Sequence, residues 1–432
     1  MRIGRTLPPA ATPITVKALV SGIWGIFRGR RELDRLESEL KAYFGAEHCF
    51  LVSSGKAAFT LILLALKELS PERDEVLIPA FTCYSVPSAA IRAGLRVRLC
   101  DLQADSLDFD FDQLSTMLDG DLSRRPDSCS TGGAGESLPD GQKGMGDTRA
   151  SINKFLAIVP THLFGYPSDV ARLRKMKRDQ EITIVEDAAQ AMGETVEEGK
   201  LGTFGDVSFF SLARGKAFSV VEGGVIITNR ADIAKTLDRL VNGLSGYGLL
   251  QTLTLVFKAI ALMMFTHPRL FWIPRSIPSL KLGETLFETD FSISKMSSFQ
   301  AGLARNWQGK LAKLRDARKR TVGKWIATIE ASGTHSTRFF RGRSMALLRF
   351  PLQVNDKNEK ESLLNESVRL GLGIMPVYPT SIDAIPELEG MTGSGKFPVA
   401  ETYASGLVTL PTHGYLSDRD VEKICGLICR LP

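Results

Sequence analysis

The chain has 432 residues, with 54 Lys and Arg against 48 Asp and Glu, a formal surplus of +6. A hydrophobic share of 44% and an aromatic share of 8% exclude wholesale disorder, collagen and a coiled coil. At about 100–200 residues per domain the length fits two or three domains, and the thin charge surplus gives no reason to expect nucleic acid as a partner.

Along the chain, MRIGRTLPPAATPI holds no apolar run, so no secretory leader is expected. Residues 31–44 set Leu33, Leu36, Leu40 and Phe44 on one helical stripe. A strand is expected at 49–52, followed by Ser53-Ser54-Gly55 and an Ala/Leu-rich helix over 56–69. Short apolar runs recur at 75–79, 96–99, 155–159, 183–185, 207–210 and 225–228, separated by helical stretches. That alternation predicts βα units around a mainly parallel sheet, an α/β fold.

Two segments interrupt the pattern. Residues 119–151 contain seven glycines and no aromatic, Ile or Val, too little apolar surface to order itself, so a flexible insertion is expected, with a functional lid as the alternative. Residues 249–274 are strongly apolar, with Leu253, Val256, Phe257, Ile260 and Met264 at helical spacing and Gln251, Thr254 and Lys258 on a polar stripe. The run is shorter than the ~20 residues a spanning helix needs. It reads either as a helix packed on the domain or a subunit interface, or as an amphipathic segment on a membrane surface. In the second case Phe271 and Trp272 lie at the interface, with Arg269 and Arg275 near headgroups. The six cysteines form no paired C-x-x-C sets and no disulfide framework, so no metal site is expected and reduced thiols in the cytoplasm fit. Cys425 and Cys429, four apart, read as packing on a C-terminal helix.

Three sites carry chemistry. Ser54-Gly55-Lys56-Ala57 places backbone amides and a positive helix end where a strand meets a helix, which suits a phosphate; plain capping explains the same residues. Val185-Glu186-Asp187-Ala188-Ala189-Gln190 ends a strand in acid, at the end of a parallel sheet where ligands bind. Asp187 there is either a helix N-cap or a partner for a protonated ring nitrogen. Ser211 closes another strand, and a turn then presents Lys216, a surface charge unless a cofactor aldehyde lies beside it. Phosphate cradle, ring-nitrogen carboxylate and loop lysine together match the needs of pyridoxal phosphate.

On these residues the chain resembles the DegT/DnrJ/StrS family of fold-type-I aminotransferases. Ser54-Gly55-Lys56-Ala57-Ala58 is similar to the family's S-G-T-A-A, and 79–94 to its P-x-F-T-F-x-A-T-x-x-A-I-x-x-G. Thr161-His162-Leu163-Phe164-Gly165, Glu186 to Gln190, Ser211 to Lys216, Glu222-Gly223-Gly224 and 397–411 extend the likeness over nearly the whole length. The resemblance implies a three-layer αβα fold with a mainly parallel sheet and a smaller α/β C-terminal domain. Its bounds are a large domain at 1–245, an apolar insertion at 246–290 and a small domain at 291–432. It implies Lys216 as Schiff-base lysine, Asp187 as ring-nitrogen partner and Gln190 at the ring hydroxyl. Ser211 and the amides of Gly55, Lys56 and Ala57 are the implied phosphate ligands.

The family's stacking aromatic aligns with Cys83, which leaves Tyr84 to stack. The partner-reaching N-x-R-M reads Ile293-Ser294-Lys295-Met296, and the sugar-gripping S-G-x-x-T-x-G reads Ser21-Gly22-Ile23-Trp24-Gly25-Ile26-Phe27, without its threonine. The implied activity is transfer of an amino group, from glutamate in the family, to a keto-sugar, nucleotide-linked, for surface polysaccharide or glycoconjugate synthesis. A homodimer in the cytoplasm, touching the inner membrane face through 249–274, completes the expectation. The family's dehydratase branch carries histidine at the lysine position, which Lys216 argues against. Two readings stay open beside it: a non-catalytic, membrane-associated partner that keeps the fold, and an enzyme acting on a different carrier-linked substrate.

Overall fold

The computed structural model describes residues 3–122, 154–177, 181–280, 282–283, 285–332, 345–354, 356–392 and 395–430. The flexible insertion expected at 119–151 falls outside the described residues from position 123 on. Helices α1 (Val16–Arg28) and α2 (Arg30–Phe44) lead into β1 (His48–Val52), α3 (Gly55–Leu69), β2 (Glu75–Pro79), α4 (Ser85–Arg92), β3 (Arg96–Cys100) and α5 (Phe111–Leu122). Next come β4 (Phe155–Ile158), α6 (Val170–Met176), β5 (Thr183–Asp187), a two-residue hairpin of β6 (Thr195–Val196) and β7 (Gly199–Lys200), then β8 (Val207–Ser211), β9 (Gly224–Thr228) and α7 (Ala231–Asn242). Seven of these strands form one sheet in the order β1-β9-β8-β5-β4-β2-β3. The five from β8 to β3 run parallel, and β9 is antiparallel to both of its neighbours.

The strands are short, apolar and buried on both faces, as parallel strands covered by crossover helices must be. On one side α3 and α4 pack, with Phe59 stacked on Phe209 at 4.9 Å. On the other, α2 brings Phe44 onto Phe210 at 4.6 Å, beside the fully buried Trp307. This is the three-layer αβα arrangement.

The remainder comprises α8 (Leu249–Phe265), α9 (Trp272–Arg275), α10 (Ser298–Leu303), the long α11 (Trp307–Ser332), β10 (Phe350–Gln353), α12 (Lys357–Leu370), β11 (Met375–Pro376), α13 (Pro398–Gly406), β12 (Leu407–Leu410) and α14 (Asp418–Ile428). Strands β10, β12 and β11 make a second, antiparallel sheet with its own core around Trp325, whose indole donates to the Pro411 carbonyl at 3.1 Å. This part docks on the carboxyl end of the large sheet. Ile382 N–H donates to Ala80 O at 2.8 Å, and Asp101 accepts the amides of Val399 and Ala400 at the start of α13.

The segment that aligns with a sugar-gripping loop is helical throughout. Gly22 and Gly25 lie on the buried side of α1, and a Cβ on Gly25 would sit 2.5 Å from Ser298 O and 3.0 Å from Gly302 Cα. Its small residues therefore serve close packing of α1 on α10. Helix α8 forms within the apolar segment, yet its buried residues are Leu255 and Ala259, while Leu253, Phe257 and Met264 of the apolar stripe are exposed. Phe271 and Trp272 are half-buried.

Candidate active site

The carboxyl ends of β5 and β8 set the geometry. Strand β5 delivers Glu186 and Asp187, which alternate between the two sides of the chain. Glu186 is fully buried, and its carboxylate accepts His162 Nε2 at 2.8 Å together with the amides of Gly202 at 3.0 Å, Phe204 at 2.6 Å and Gly205. Burial pushes its pKa up, but these donors outweigh that and hold it below the usual carboxylate range. His162 Nδ1 accepts from Ser168 N–H at 3.0 Å, which puts the ring proton on Nε2. Glu186 is thus a structural anchor that ties the 202–205 loop to the strand end.

Asp187 has a different environment. Its Oδ1 accepts the Ala189 amide at 3.0 Å, and its other oxygen has no hydrogen-bond partner among the described residues. Burial pushes this carboxyl up, while the Ala189 amide, Lys216 and His162 pull it down; the net shift is upward. Such a group gains from a cationic N–H placed beside it.

Lys216 follows β8 on a turn fixed from outside. Gly215 takes φ of +73°, available to glycine without strain, and donates its N–H to Thr12 Oγ1 at 3.2 Å. The buried Arg318 of α11 donates to Lys216 O at 3.2 Å. Burial lowers the Lys216 amine; Cys83 and Asp187 favour its charged form, and Arg349 opposes it. The net shift is downward, so a larger neutral fraction is ready to act as nucleophile or base than on an exposed lysine.

The phosphate-like cradle lies where α3 begins. Ser54 caps the helix, its Oγ accepting from Ala57 N–H at 3.0 Å. Ala57's amide is engaged by that cap, while the amides of Gly55 and Lys56 have no partner among the described residues. A Cβ on Gly55 would lie 2.9 Å from Ser211 Cβ, and one on Gly224 would lie 2.1 Å from Ser54 O. Both glycines let the helix start approach the ends of β8 and β9. The Lys56 side chain leaves the cradle: its ammonium sits 4.6 Å over the Phe291 ring and 3.9 Å from Glu288.

Gln190 is buried, donates Nε2 to the Tyr378 hydroxyl at 3.4 Å, and has no partner for Oε1. Thr82 Oγ1 and Thr161 Oγ1 are likewise buried and unpartnered. Three orphaned oxygens on the loops after β2, β4 and β5 mark a place built for a polar guest, since buried polar atoms otherwise find partners. Tyr84 is tied elsewhere. Its hydroxyl meets Thr380 Oγ1 at 2.6 Å and its ring lies 6.2 Å from that of Tyr378, so the aromatic beside Gln190 is Tyr378.

Sequence reasoning missed Tyr378 and Arg349. Arg349 lies 5.4 Å over the ring of Phe164, a residue at φ of +60°. Its only sequence signal is a lone cation inside the apolar run 345–352. The segment 293–296 pairs within its own chain: Lys295 bridges Val52 and donates Nζ to Asn242 O at 2.9 Å.

A lysine, a carboxylate and an amide-lined helix start at the strand ends of a doubly covered α/β sheet define a pyridoxal-phosphate enzyme of the aminotransferase class. The donor set fits that cofactor: free amides for its phosphate, an uncompensated carboxylate for its ring nitrogen and an orphaned amide oxygen for its hydroxyl. The description of the DegT/DnrJ/EryC1/StrS aminotransferase family matches residues 14–121, 147–256 and 282–429, and the chain belongs to this family.

Among curated relatives, the GDP-perosamine synthase of Vibrio cholerae is 27% identical over 220 residues, about half of either chain (51% and 50%). The UDP-N-acetyl-3-dehydro-alpha-D-glucosamine 3-aminotransferase of Acidithiobacillus ferrooxidans is 23% identical over 91% of this chain and 87% of its own. Among solved structures, a putative sugar aminotransferase from Streptococcus pneumoniae in its PLP form superposes with a TM-score of 0.71 at 18% identity, covering 99% and 98% of the two chains. A Helicobacter pylori aminotransferase of pseudoaminic acid biosynthesis gives 0.72 at 15%, covering 99% of each.

Proposed function

We propose that the chain transfers an amino group from an amino-acid donor to a keto-sugar carried on a nucleotide, for surface polysaccharide or glycoconjugate synthesis. The observation that carries this reading is the placement of Asp187 and Lys216 after the neighbouring parallel strands β5 and β8, where each acts electrostatically on the other, with the orphaned Gln190 Oε1 three residues from Asp187. The names of the relatives supply the sugar class, and the family match covers the parts of the chain that build the crevice.

Pyridoxal phosphate supplies, when bound, a protonated ring that withdraws the electron pair left as an amino acid loses its α-proton. In this reading the Gly55 and Lys56 amides and the Ser211 hydroxyl bind its phosphate. Asp187 holds the proton on the ring nitrogen, and Gln190 Oε1 accepts from the ring hydroxyl. Lys216 would be the covalent anchor; once displaced by the donor amine, its neutral Nζ would take the donor's α-proton and give it back in the 1,3-shift that completes the half-reaction. Arg349 offers a guanidinium to the donor's carboxylate. The five described cysteines are free thiols, which supports a cytoplasmic setting, and a homodimer is part of the same reading.

Incubation of the holoenzyme with glutamate and a panel of UDP- and GDP-linked keto-sugars tests this reading. Stoichiometric 2-oxoglutarate with an aminated sugar nucleotide is the expected result. Half-reaction with glutamate but no turnover of any keto-sugar would remove the sugar from the account.

A further inference from the structure

Charge is segregated along this chain. Residues 1–31 and 239–283 hold eleven Lys and Arg and no Asp or Glu, more than the whole surplus of +6, so the remainder is net acidic. These stretches supply α1 and α8, which touch each other in the fold. Each helix buries a narrow face and exposes an apolar one. On α1, Ala18, Gly22 and Gly25 are buried, while Val16, Val20, Ile23, Trp24 and Phe27 are 40–78% exposed on the opposite face. On α8, Leu255 and Ala259 are buried, and Leu249, Leu250, Leu253, Phe257 and Met264 are 47–79% exposed. Single exposed apolar residues need no explanation; two adjacent helices with continuous apolar stripes do.

Four cations on these stretches lack a carboxylate partner. Among the described residues Lys17, Arg31, Arg269 and Arg275 have no acidic partner, whereas Arg28 and Arg30 pair with Glu32 and Asp34, and Lys258 with Glu222. The family match breaks off at residue 256 and resumes at 282, so the second half of α8 and its continuation lie outside the family description.

We infer that the face formed by α1 and α8 docks on an anionic lipid surface. Apolar stripes flanked by unpaired cations, on stretches of chain that themselves carry no carboxylate, are the composition that an interface of acyl chains and negative headgroups takes. A second copy seated on this face about a two-fold axis would bring the same unpaired cations together, while the nearby Glu32, Asp34 and Glu222 are already engaged within the chain. No described helix is long and apolar enough to cross a membrane, so the contact is with the surface. It is independent of which sugar the enzyme aminates.

Co-sedimentation of the full-length holoenzyme with phosphatidylcholine vesicles, with and without phosphatidylglycerol, tests the inference. Wild type is expected to pellet with the anionic vesicles and to be released by salt. Replacing four exposed side chains together (Trp24→Ser, Phe27→Ser, Leu253→Ser, Phe257→Ser) should lower the partition coefficient at least about tenfold without changing the melting temperature. Lys17→Glu with Arg269→Glu should weaken only the anionic-vesicle binding. Equal partitioning of wild type and the four-serine variant, failure of wild type to pellet, or loss of dimer mass in the four-serine variant would each overturn it, the last by assigning the face to a second copy.

Discussion

At the carboxyl end of the sheet, charged side chains are buried: Glu186 collects a histidine and three loop amides, whereas Asp187 keeps one oxygen without a partner among the described residues and within electrostatic reach of Lys216. On α1 and α8 the materials are reversed, with apolar side chains in water and several cations unpaired. The strand-end site carries the cost of desolvating charge, and shifted groups of this kind cluster where chemistry is done. The outer face leaves apolar area unburied, which a chain of this size avoids unless something covers it.

The largest effect expected from breaking that contrast is at Lys216. Lys216→Ala should cut transamination by at least about 10³-fold, measured as 2-oxoglutarate release with cofactor saturating. Asp187→Asn keeps the shape and removes the charge that holds the ring proton, so a loss of about 10²–10⁴-fold is expected, read in single-turnover kinetics with glutamate.

Acid should act on a third buried site. His413 donates Nε2–H to Pro8 O at 2.7 Å, and burial pulls its pKa down to about 4 from 6.5. Between those values the unfolded chain binds the proton and the folded chain does not. Stability is therefore complete above pH 6.5 and falls by up to ~3 kcal/mol as pH drops through about 4; urea midpoints of wild type against His413→Gln over that window check it. Gly25→Ala should destabilise by about 1–3 kcal/mol, because the new methyl meets Ser298 O where α1 crosses α10. On the outer face, Leu253→Ser or Phe257→Ser should move stability by less than about 0.5 kcal/mol, since neither side chain is buried. A large loss there would mean the stripe is covered within the chain.

The parallel strands were legible because each is a short apolar run, and the start of α3 because serine and glycine punctuate it. Arg349 and Tyr378 were not, since they flank strands of the C-terminal sheet, and docking through Leu348 to Phe164 and Ile382 to Ala80 brings them to the large sheet. Ala57's occupied amide could not be read either: Ser54 serves equally as cap or as phosphate neighbour until its hydroxyl is placed. In α8 nearly every arc is apolar, so spacing named a stripe, while Leu255 and Ala259 on another arc proved to be the packed side.

The central claim is that Lys216 is the cofactor's anchor opposite Asp187. Borohydride reduction of the coloured holoenzyme, followed by proteolysis and mass mapping, tests it most directly. The account predicts a single pyridoxyl-labelled peptide modified at Lys216, and an unlabelled, colourless Lys216→Ala protein under the same treatment. Label on Lys56 or any other lysine with Lys216 unmodified would contradict it.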